Sequence, residues 1–180
     1  MTFQQWVSGY CRLNWSSTRR PFGAVVETAS TSIRRTSPVA TSSAVPSITA
    51  AAAAVAEIEA GGGSAVAVRA DIGNVDEVRT LFDRTLSRYG RLDILVNNAG
   101  VRLFKPMAAV TEAEYDAIFD TNVKGVFFAC QLAARHMADG GRIINISSSV
   151  TRVLMANYGP YAATKGAVEQ MTRALAKELG

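Results

Sequence analysis

Histidine and cysteine are scarce in this chain of 180 residues. His136 is the single histidine, which excludes a multi-histidine metal site and a histidine-based catalytic triad with its supporting groups. Cys11 and Cys130 are the two cysteines, too few for a disulfide framework. We therefore expect a cytoplasmic protein without a metal site, with Cys130 as a small core residue and His136 on a helix surface.

Long apolar runs are also lacking. The N-terminus has no apolar stretch of signal-peptide length. The apolar helical stretch at residues 126–134 is far shorter than the roughly 20 residues that span a bilayer. The sequence therefore predicts a soluble protein that does not enter the membrane.

Residues 1–50 have almost no acidic residues and little glycine. They contain one Glu, no Asp, five Arg and sixteen Ser or Thr, with Gly9 and Gly23 as the only glycines. The whole chain has 19 basic and 15 acidic residues, so residues 51–180 carry 14 of each and the net charge of +4 belongs to this segment. Since the excess charge follows no nucleic-acid-binding motif, we do not expect nucleic acid as a partner.

From residue 47 onward, helical apolar patterns alternate with short apolar runs typical of buried strands. Thr111 and Glu114 form a capping box at the start of one long helical pattern. The alternation predicts an α/β fold, a doubly wound parallel sheet with helices on both faces. The predicted helices cover 47–60, 75–89, 112–137 and 158–179, and the predicted strands cover 65–69, 92–96 and 142–147.

In dinucleotide-binding folds, a strand, a glycine-rich turn and a helix together bind the pyrophosphate. Residues 1–46 contain no sequence pattern of this kind. Gly61-Gly62-Gly63 is no replacement, because it follows a helix pattern and precedes a strand pattern, which is the order of a helix stop. We predict a boundary that separates a non-matching segment, 1–46, from a partial doubly wound domain, 47–180. Two interpretations of the first segment are open. It is a disordered, transit-peptide-like extension, or it is the product of a reading-frame error, which is the interpretation that we favour.

Tyr161, Lys165 and Ser148 form a candidate proton-transfer group. Tyr161 and Lys165 are four residues apart on a predicted helix and so share one face, where the ammonium would favour the phenolate. Ser148 follows a predicted strand and could hold a substrate oxygen against the phenol. Such a group moves protons to or from a carbonyl or alcohol oxygen but needs a hydride carrier, for which a nicotinamide cofactor is the natural candidate.

Two further segments accompany this group. Asn97-Asn98-Ala99-Gly100 ends a short apolar strand, where small residues let a ligand approach the backbone closely. Asn122 lies within the long helical pattern. Together with residues 141–148 and Tyr161-Ala162-Ala163-Thr164-Lys165, these motifs resemble the short-chain dehydrogenase/reductase family, from about residue 50 to residue 180. The 3-oxoacyl-carrier-protein reductases and related small-alcohol dehydrogenases are the nearest likeness.

The resemblance implies a catalytic role for four residues. Tyr161 would be the acid or base, Lys165 would promote its ionisation and bind the nicotinamide ribose, and Ser148 would orient the substrate carbonyl. Asn122 would hold a water that links Lys165 to solvent. The resemblance also implies that 47–180 is a partial NAD(P)-binding, Rossmann-like domain with NADP or NAD as cofactor. Tyr161 and Lys165 would both contact the cofactor, with these further contacts to its adenosine part: Asp71, Ile72, Asn98, Ala99 and Gly100.

We therefore predict an oxidoreductase that transfers hydride between NAD(P)(H) and a ketone or secondary alcohol, similar to a 3-oxoacyl reductase. The alternatives are a catalytically inactive fragment, because the pyrophosphate loop and the substrate lid are missing, and a sugar-nucleotide epimerase or dehydratase. Residues 97–100 and the short C-terminal part disfavour the epimerase. The resemblance also implies a possible homo-oligomer formed through helices 112–137 and 158–179.

Overall fold

The computed structural model describes residues 23–29 and 48–180, with side chains from residue 51 onward. Within these residues, strands and helices alternate in the order β1–α1–β2–α2–β3–α3–α4–β4–α5. The strands are β1 (Gly23–Ala29), β2 (Ser64–Ala70), β3 (Leu92–Asn97) and β4 (Met137–Asn145). The α-helices are α1 (Ile48–Ala60), α2 (Val75–Tyr89), α3 (Glu112–Phe119), α4 (Val126–His136) and α5 (Gly159–Leu179).

The described strands form two parallel pairs. β1 pairs with β2 in continuous register, from Gly23 opposite Ser64 to Ala29 opposite Ala70. β3 pairs with β4, with Asn97 opposite Asn145 at their carboxyl ends. Parallel strands connected by helices confirm the predicted α/β, Rossmann-like fold class.

β1 was not predicted from the sequence, because the apolar residues within 1–46 do not follow the periodicity of a strand. The structure places Gly23–Ala29 in the ladder with β2. The remainder of that segment, residues 1–22 and 30–46, lies outside the described residues, so the boundary near residue 46 and the frame-error interpretation stay predictions. The triple glycine is confirmed as the stop of α1, since Gly62 has φ +80° and the Gly63 amide donates to Ile58 O at 3.0 Å.

One apolar core connects both strand pairs. The amphipathic α2 begins at Asn74, whose side chain accepts a hydrogen bond from the Asp76 amide, and ends at Gly90 with φ 71°. Its inner face packs with α4 against β2, β3 and β4. The buried members are Val68, Ile72, Val78, Leu81, Phe82, Ala129 and Ala133.

The predicted helical stretch 112–137 is confirmed up to His136, but it is not one regular α-helix. A π-helical turn at Asp120–Gly125 separates α3 from α4. A Cβ atom at Gly125 would lie 2.5 Å from Ile72 O, so glycine lets the turn approach the end of β2 closely. Because a π turn inserts an extra residue into the helix, it rotates the residues on either side of it, and here it buries Thr121 and Asn122.

β4 also differs from the predicted strand 142–147. It begins at Met137, five residues earlier, because pairing with β3 continues past Gly140, which has φ +77°. The register shifts between Leu92 and Ile94, which accommodates the extra residues as a bulge. The strand ends at Asn145, so the residues that follow it, 146–148, lie at the carboxyl edge of the β3–β4 pair.

In the described part of the chain, no helix combines the length and apolar character needed to cross a membrane. His136 is exposed and Cys130 is buried, as the sequence predicts.

The predicted capping box of α3 is confirmed and includes an ion pair. The Glu114 carboxylate accepts from the Thr111 amide at 2.9 Å and from Lys105 Nζ at 2.8 Å. The Lys105 hydrogen bond, followed by that of the Thr111 amide, holds the pKa of Glu114 below its usual value of 4.5. The carboxylate therefore stabilises the folded state above pH 4.5, and this stabilisation is lost as the pH falls through the lowered pKa.

Substituting Glu114→Gln should lower the free energy of unfolding by about 1 kcal/mol at pH 7, the ordinary value of a helix cap. The difference from the parent should shrink as the pH falls below 4.5, because the parent then loses the same charge. Urea unfolding at pH 7 and at pH 3 checks both statements. Glu112→Gln, which removes a carboxylate from the same first turn, is the matched control; an equal loss from both variants would contradict the role of the capping pair.

Candidate active site

The carboxyl ends of the parallel strands bring the predicted site segments to one edge of the fold. β3 leads into residues 98–100 and β4 leads into residues 146–148. The Ile146 amide donates to Asn97 O at 3.0 Å, which extends the pairing one residue beyond β4. Ligands bind at this edge in open α/β sheets.

Lys165 is the buried cation of the site. It is 6% exposed, and its Nζ donates to Ile146 O at 2.8 Å. The ammonium lies 5.9 Å from the centroid of the Tyr161 ring, which confirms that the two side chains share a face of α5. Burial lowers the pKa of Lys165 from its usual value of 10.5. The carbonyl of Ile146 uses one of the three ammonium donors and leaves the others for a ligand.

Asn122 is fully buried, and its side chain makes three hydrogen bonds. Its Oδ1 accepts from the Val101 amide at 2.8 Å, and its Nδ2 donates to Val101 O at 2.8 Å and to Thr164 Oγ1 at 3.1 Å. The side-chain amide is therefore fixed in one orientation, across elements far apart in sequence. The water-holding role implied by the resemblance stays a prediction.

Gly100 connects these two groups. A Cβ atom at this position would lie 3.3 Å from Asn122 Oδ1 and 3.6 Å from Lys165 Nζ. The missing side chain thus lets the backbone at Gly100 approach both polar groups closely. The structure therefore brings Gly100, Asn122 and Lys165 together.

Ser148 lies three residues beyond the end of β4 and caps a short 3-10 turn, Ser149–Thr151. Its Oγ accepts from the Val150 amide at 3.3 Å. This hydrogen bond occupies a lone pair of the hydroxyl and leaves its proton for another acceptor. The geometry suits a donor to a substrate oxygen, on the same segment as the carbonyl of Ile146 that Lys165 contacts.

Tyr161 occupies the first turn of α5, just after Pro160. Its ring is 6.1 Å from that of Tyr158, which in turn makes an edge contact with Phe104 at 5.1 Å. The phenol is partly exposed, whereas the Lys165 ammonium beneath it is buried. This arrangement lets a ligand reach the phenol while water has little access to the cation.

The predicted adenosine contacts lie at the ends of β2 and β3. The Asp71 carboxylate accepts from the Gly73 amide at 2.9 Å. Ile72 is buried, and both its side chain and its backbone carbonyl pack against Gly125. Asn98 and Gly100 are exposed, and Ala99 is partly buried. The contacts of Asp71, Ile72, Asn98, Ala99 and Gly100 with a cofactor remain predictions.

Two residues near the site, Thr164 and Glu169, were not predicted from the sequence. Thr164 fixes Asn122, and Glu169 accepts hydrogen bonds from Ser147 and Thr151 at 2.8 Å each. The spacing could have indicated Glu169, because 161, 165 and 169 lie one helical repeat apart on one face. No local pattern indicates Thr164, since its partner is 42 residues away.

A second, partly buried network connects the strand ends to the neighbouring helices. Asn97 Nδ2 donates to Asn145 Oδ1 at 2.8 Å, and Asn145 Nδ2 donates to Thr172 Oγ1 at 2.9 Å. Asn97 Nδ2 also approaches Cys130 Sγ at 3.4 Å, and burial raises the pKa of that thiol. The network joins β3, β4, α4 and α5, and it explains why the first Asn of the Asn-Asn pair is buried.

Among the residues that the structure describes, no group of three or more His, Cys, Asp or Glu is placed to hold a metal. The available donors suit a nicotinamide dinucleotide instead. The buried ammonium of Lys165 has donors left for ribose hydroxyls, and Asp71 offers a carboxylate just beyond the end of β2.

Comparison with known proteins points to the same chemistry. The family model described as short chain dehydrogenase matches residues 20–180. An uncharacterised oxidoreductase of Methylorubrum extorquens is 48% identical over 120 residues, which cover 67% of this chain and 48% of that protein. The hydroxynaphthalene reductase-like protein Arp2 of Metarhizium brunneum is 44% identical over 66% of this chain and 45% of its own length.

A solved structure of a putative dehydrogenase from Burkholderia cenocepacia, with bound NADP, has a TM-score of 0.77 and 31% identity to this chain. The match covers 88% of this chain and 54% of that structure. The chain therefore spans about half the length of the proteins that it resembles.

Proposed function

The chain belongs to the short-chain dehydrogenase family, and from this membership we propose that it transfers hydride between NAD(P)(H) and a ketone or secondary alcohol. The buried ammonium of Lys165 beneath the Tyr161 ring is the observation that carries the proposal. A cation held there stabilises negative charge on the phenol oxygen, which a proton donor develops as it gives up its proton.

In the direction of reduction, each side chain has a separate task. The Ser148 hydroxyl donates to the substrate carbonyl oxygen and holds it in place. Tyr161 gives its phenolic proton to that oxygen as the carbon accepts hydride. Lys165 stabilises the phenolate that remains, and its own position is fixed by Ile146 O. Asn122 keeps the loop at Gly100 and Val101 against α5.

We propose that NADP or NAD supplies the hydride. The NADP found in the Burkholderia cenocepacia structure supports this class of cofactor. Lys165 would hold the ribose next to the nicotinamide, and the adenosine part would be contacted by Asp71, Ile72, Asn98, Ala99 and Gly100.

The substrate is proposed to carry an apolar group next to its carbonyl. Two segments beside Tyr161 expose apolar side chains and contact each other, since the Lys105 amide donates to Asn157 O at 2.9 Å. This apolar surface suits a 3-oxoacyl chain, the substrate of the enzymes that the motifs resemble, and it equally suits a fused-ring ketone. The exposed apolar residues are Phe104, Met107, Val153, Leu154 and Met155.

Self-association is a further proposal for this chain. Phe127 is 48% exposed on α4 and lies in an open groove of about 340 Å³ with Phe119, Val123 and Met171. An exposed aromatic ring between α4 and α5 supports pairing of two copies through the helices predicted for that purpose.

A cofactor titration distinguishes the enzyme from an inactive fragment of the same ancestry. The purified chain should bind NADPH or NADH with micromolar affinity in a fluorescence titration. Tyr161→Phe should bind equally well, because the phenol acts on the substrate. Absence of binding to both cofactors would overturn the proposal and favour the inactive fragment, since about half of the length of its relatives is not spanned by this chain.

A further inference from the structure

Glu169 lies on the same face of α5 as Tyr161 and Lys165, one helical repeat further along. Its Oε1 accepts from Ser147 Oγ at 2.8 Å and from Thr151 Oγ1 at 2.8 Å. The side chain is 26% exposed, so it is largely covered by the segment that it binds. The two hydroxyl donors belong to residues on either side of Ser148.

The carboxylate is held in its ionised form. The hydrogen bond from Ser147, followed by that from Thr151, keeps the pKa of Glu169 below its usual value of 4.5. Arg173 contributes less, because its guanidinium is 64% exposed and lies 3.9 Å from Glu169 Oε2. An ionised carboxylate only accepts hydrogen bonds, so it can bind both hydroxyls at once.

The contacts with Ser147 and Thr151 act on the backbone of Ser148. Thr151 Oγ1 also lies 2.9 Å from Ser148 O, so its single proton is shared between this carbonyl and Glu169. The Thr151 amide donates to Ser148 O at 3.3 Å, and Val150 is buried. The turn that carries the Ser148 hydroxyl is therefore hydrogen-bonded to Glu169 of α5 at both of its ends, through Ser147 and through Thr151.

We propose that Glu169 is a positioning residue that holds the segment 147–151 so that the Ser148 hydroxyl faces the substrate oxygen. This inference rests on the proposed reduction, since it assigns Glu169 a task within that site. An ordinary surface ion pair of α5 would involve Arg173 alone and would not affect Ser148. The hydrogen bonds from Ser147 and Thr151 to Glu169 therefore support a positioning role over a simple surface ion pair.

A double-mutant cycle of Glu169→Ala and Ser148→Ala tests the inference. Glu169→Ala alone should lower kcat about tenfold, as expected for a misplaced catalytic group, with an unchanged Kd for NADPH. In the Ser148→Ala background, the same change should have no further effect on kcat, because the hydroxyl that it positions is gone. Glu169→Gln keeps an acceptor oxygen and should recover most of the rate. Glu178→Ala, an exposed carboxylate on α5, is the matched control and should be silent.

Equal losses from Glu169→Ala with and without Ser148 would overturn the inference and indicate general destabilisation. Amide hydrogen exchange provides a measurement that is independent of turnover. Glu169→Ala should speed exchange in residues 147–151 and leave residues 92–97 unchanged. Unchanged exchange in 147–151 would also overturn the inference. A parent chain without turnover would refute the proposed reduction, and the exchange result would then decide on the positioning by Glu169.

Discussion

Replacement of Tyr161 by Phe should lower kcat for carbonyl reduction by about 10²–10⁴-fold, the usual contribution of general acid catalysis. Phenylalanine keeps the ring above Lys165 and removes only the hydroxyl that gives its proton to the substrate oxygen. The Kd for NADPH should stay within about twofold of the parent value, because a factor of two is only about 0.4 kcal/mol of binding free energy. Steady-state kinetics with a ketone substrate and a fluorescence titration check the two statements.

Tyr158→Phe is the matched control for this prediction. Tyr158 lies 6.1 Å from Tyr161 ring to ring and contacts Phe104, but it has no Lys165 beneath it. Its hydroxyl should be dispensable for proton transfer. Full activity of Tyr161→Phe, or an equal loss in both variants, would contradict the assignment of Tyr161 as the acid.

Replacement of Lys165 by Met should lower both the turnover and the affinity for the cofactor. Methionine has similar length but no charge, so it can neither stabilise the phenolate of Tyr161 nor donate to ribose hydroxyls. A charge-assisted hydrogen bond contributes about 1.5–3 kcal/mol, so the Kd for NADPH should rise at least about tenfold. The unfolding temperature should stay close to that of the parent, because the substitution also removes a cation whose burial is unfavourable.

Lys177→Met removes an exposed ammonium from the same helix and serves as the control for the change in net charge. It should leave kcat and Kd unchanged. A different result would contradict the proposed role of Lys165. If Lys165→Met lowered the unfolding temperature and the activity together, but the folded protein bound NADPH with the Kd of the parent, Lys165 would have only a structural role.

Local patterns predicted the elements that local chemistry determines. The capping box at Thr111 and Glu114 and the stop after α1 are confirmed, because these features depend on side chains within a few residues of each other. The shared face of Tyr161 and Lys165 is confirmed for the same reason. Apolar runs of strand length likewise located β2 and β3 to within one residue at each end.

Features that depend on distant partners were missed. The π turn at Asp120–Gly125 has a helical sequence pattern, and its shape is tied to Ile72, which belongs to another element. The early start of β4 depends on pairing with β3 across a glycine bulge, whereas Gly140-Gly141 alone indicates a turn. The orientation of Asn122 depends on Val101, 21 residues away. Tertiary contacts decided each of these.

Transfer of deuterium from the cofactor to the substrate tests the central claim most directly. The purified chain would be incubated with a 3-oxoacyl thioester or a fused-ring ketone and with NADPH or NADH in which both hydrogens on the reactive carbon of the nicotinamide are replaced by deuterium. Mass spectrometry of the product should find one deuterium on the carbinol carbon, and Tyr161→Phe should form almost none of this product. Tight cofactor binding without deuterated alcohol from either ketone would contradict the proposed hydride transfer.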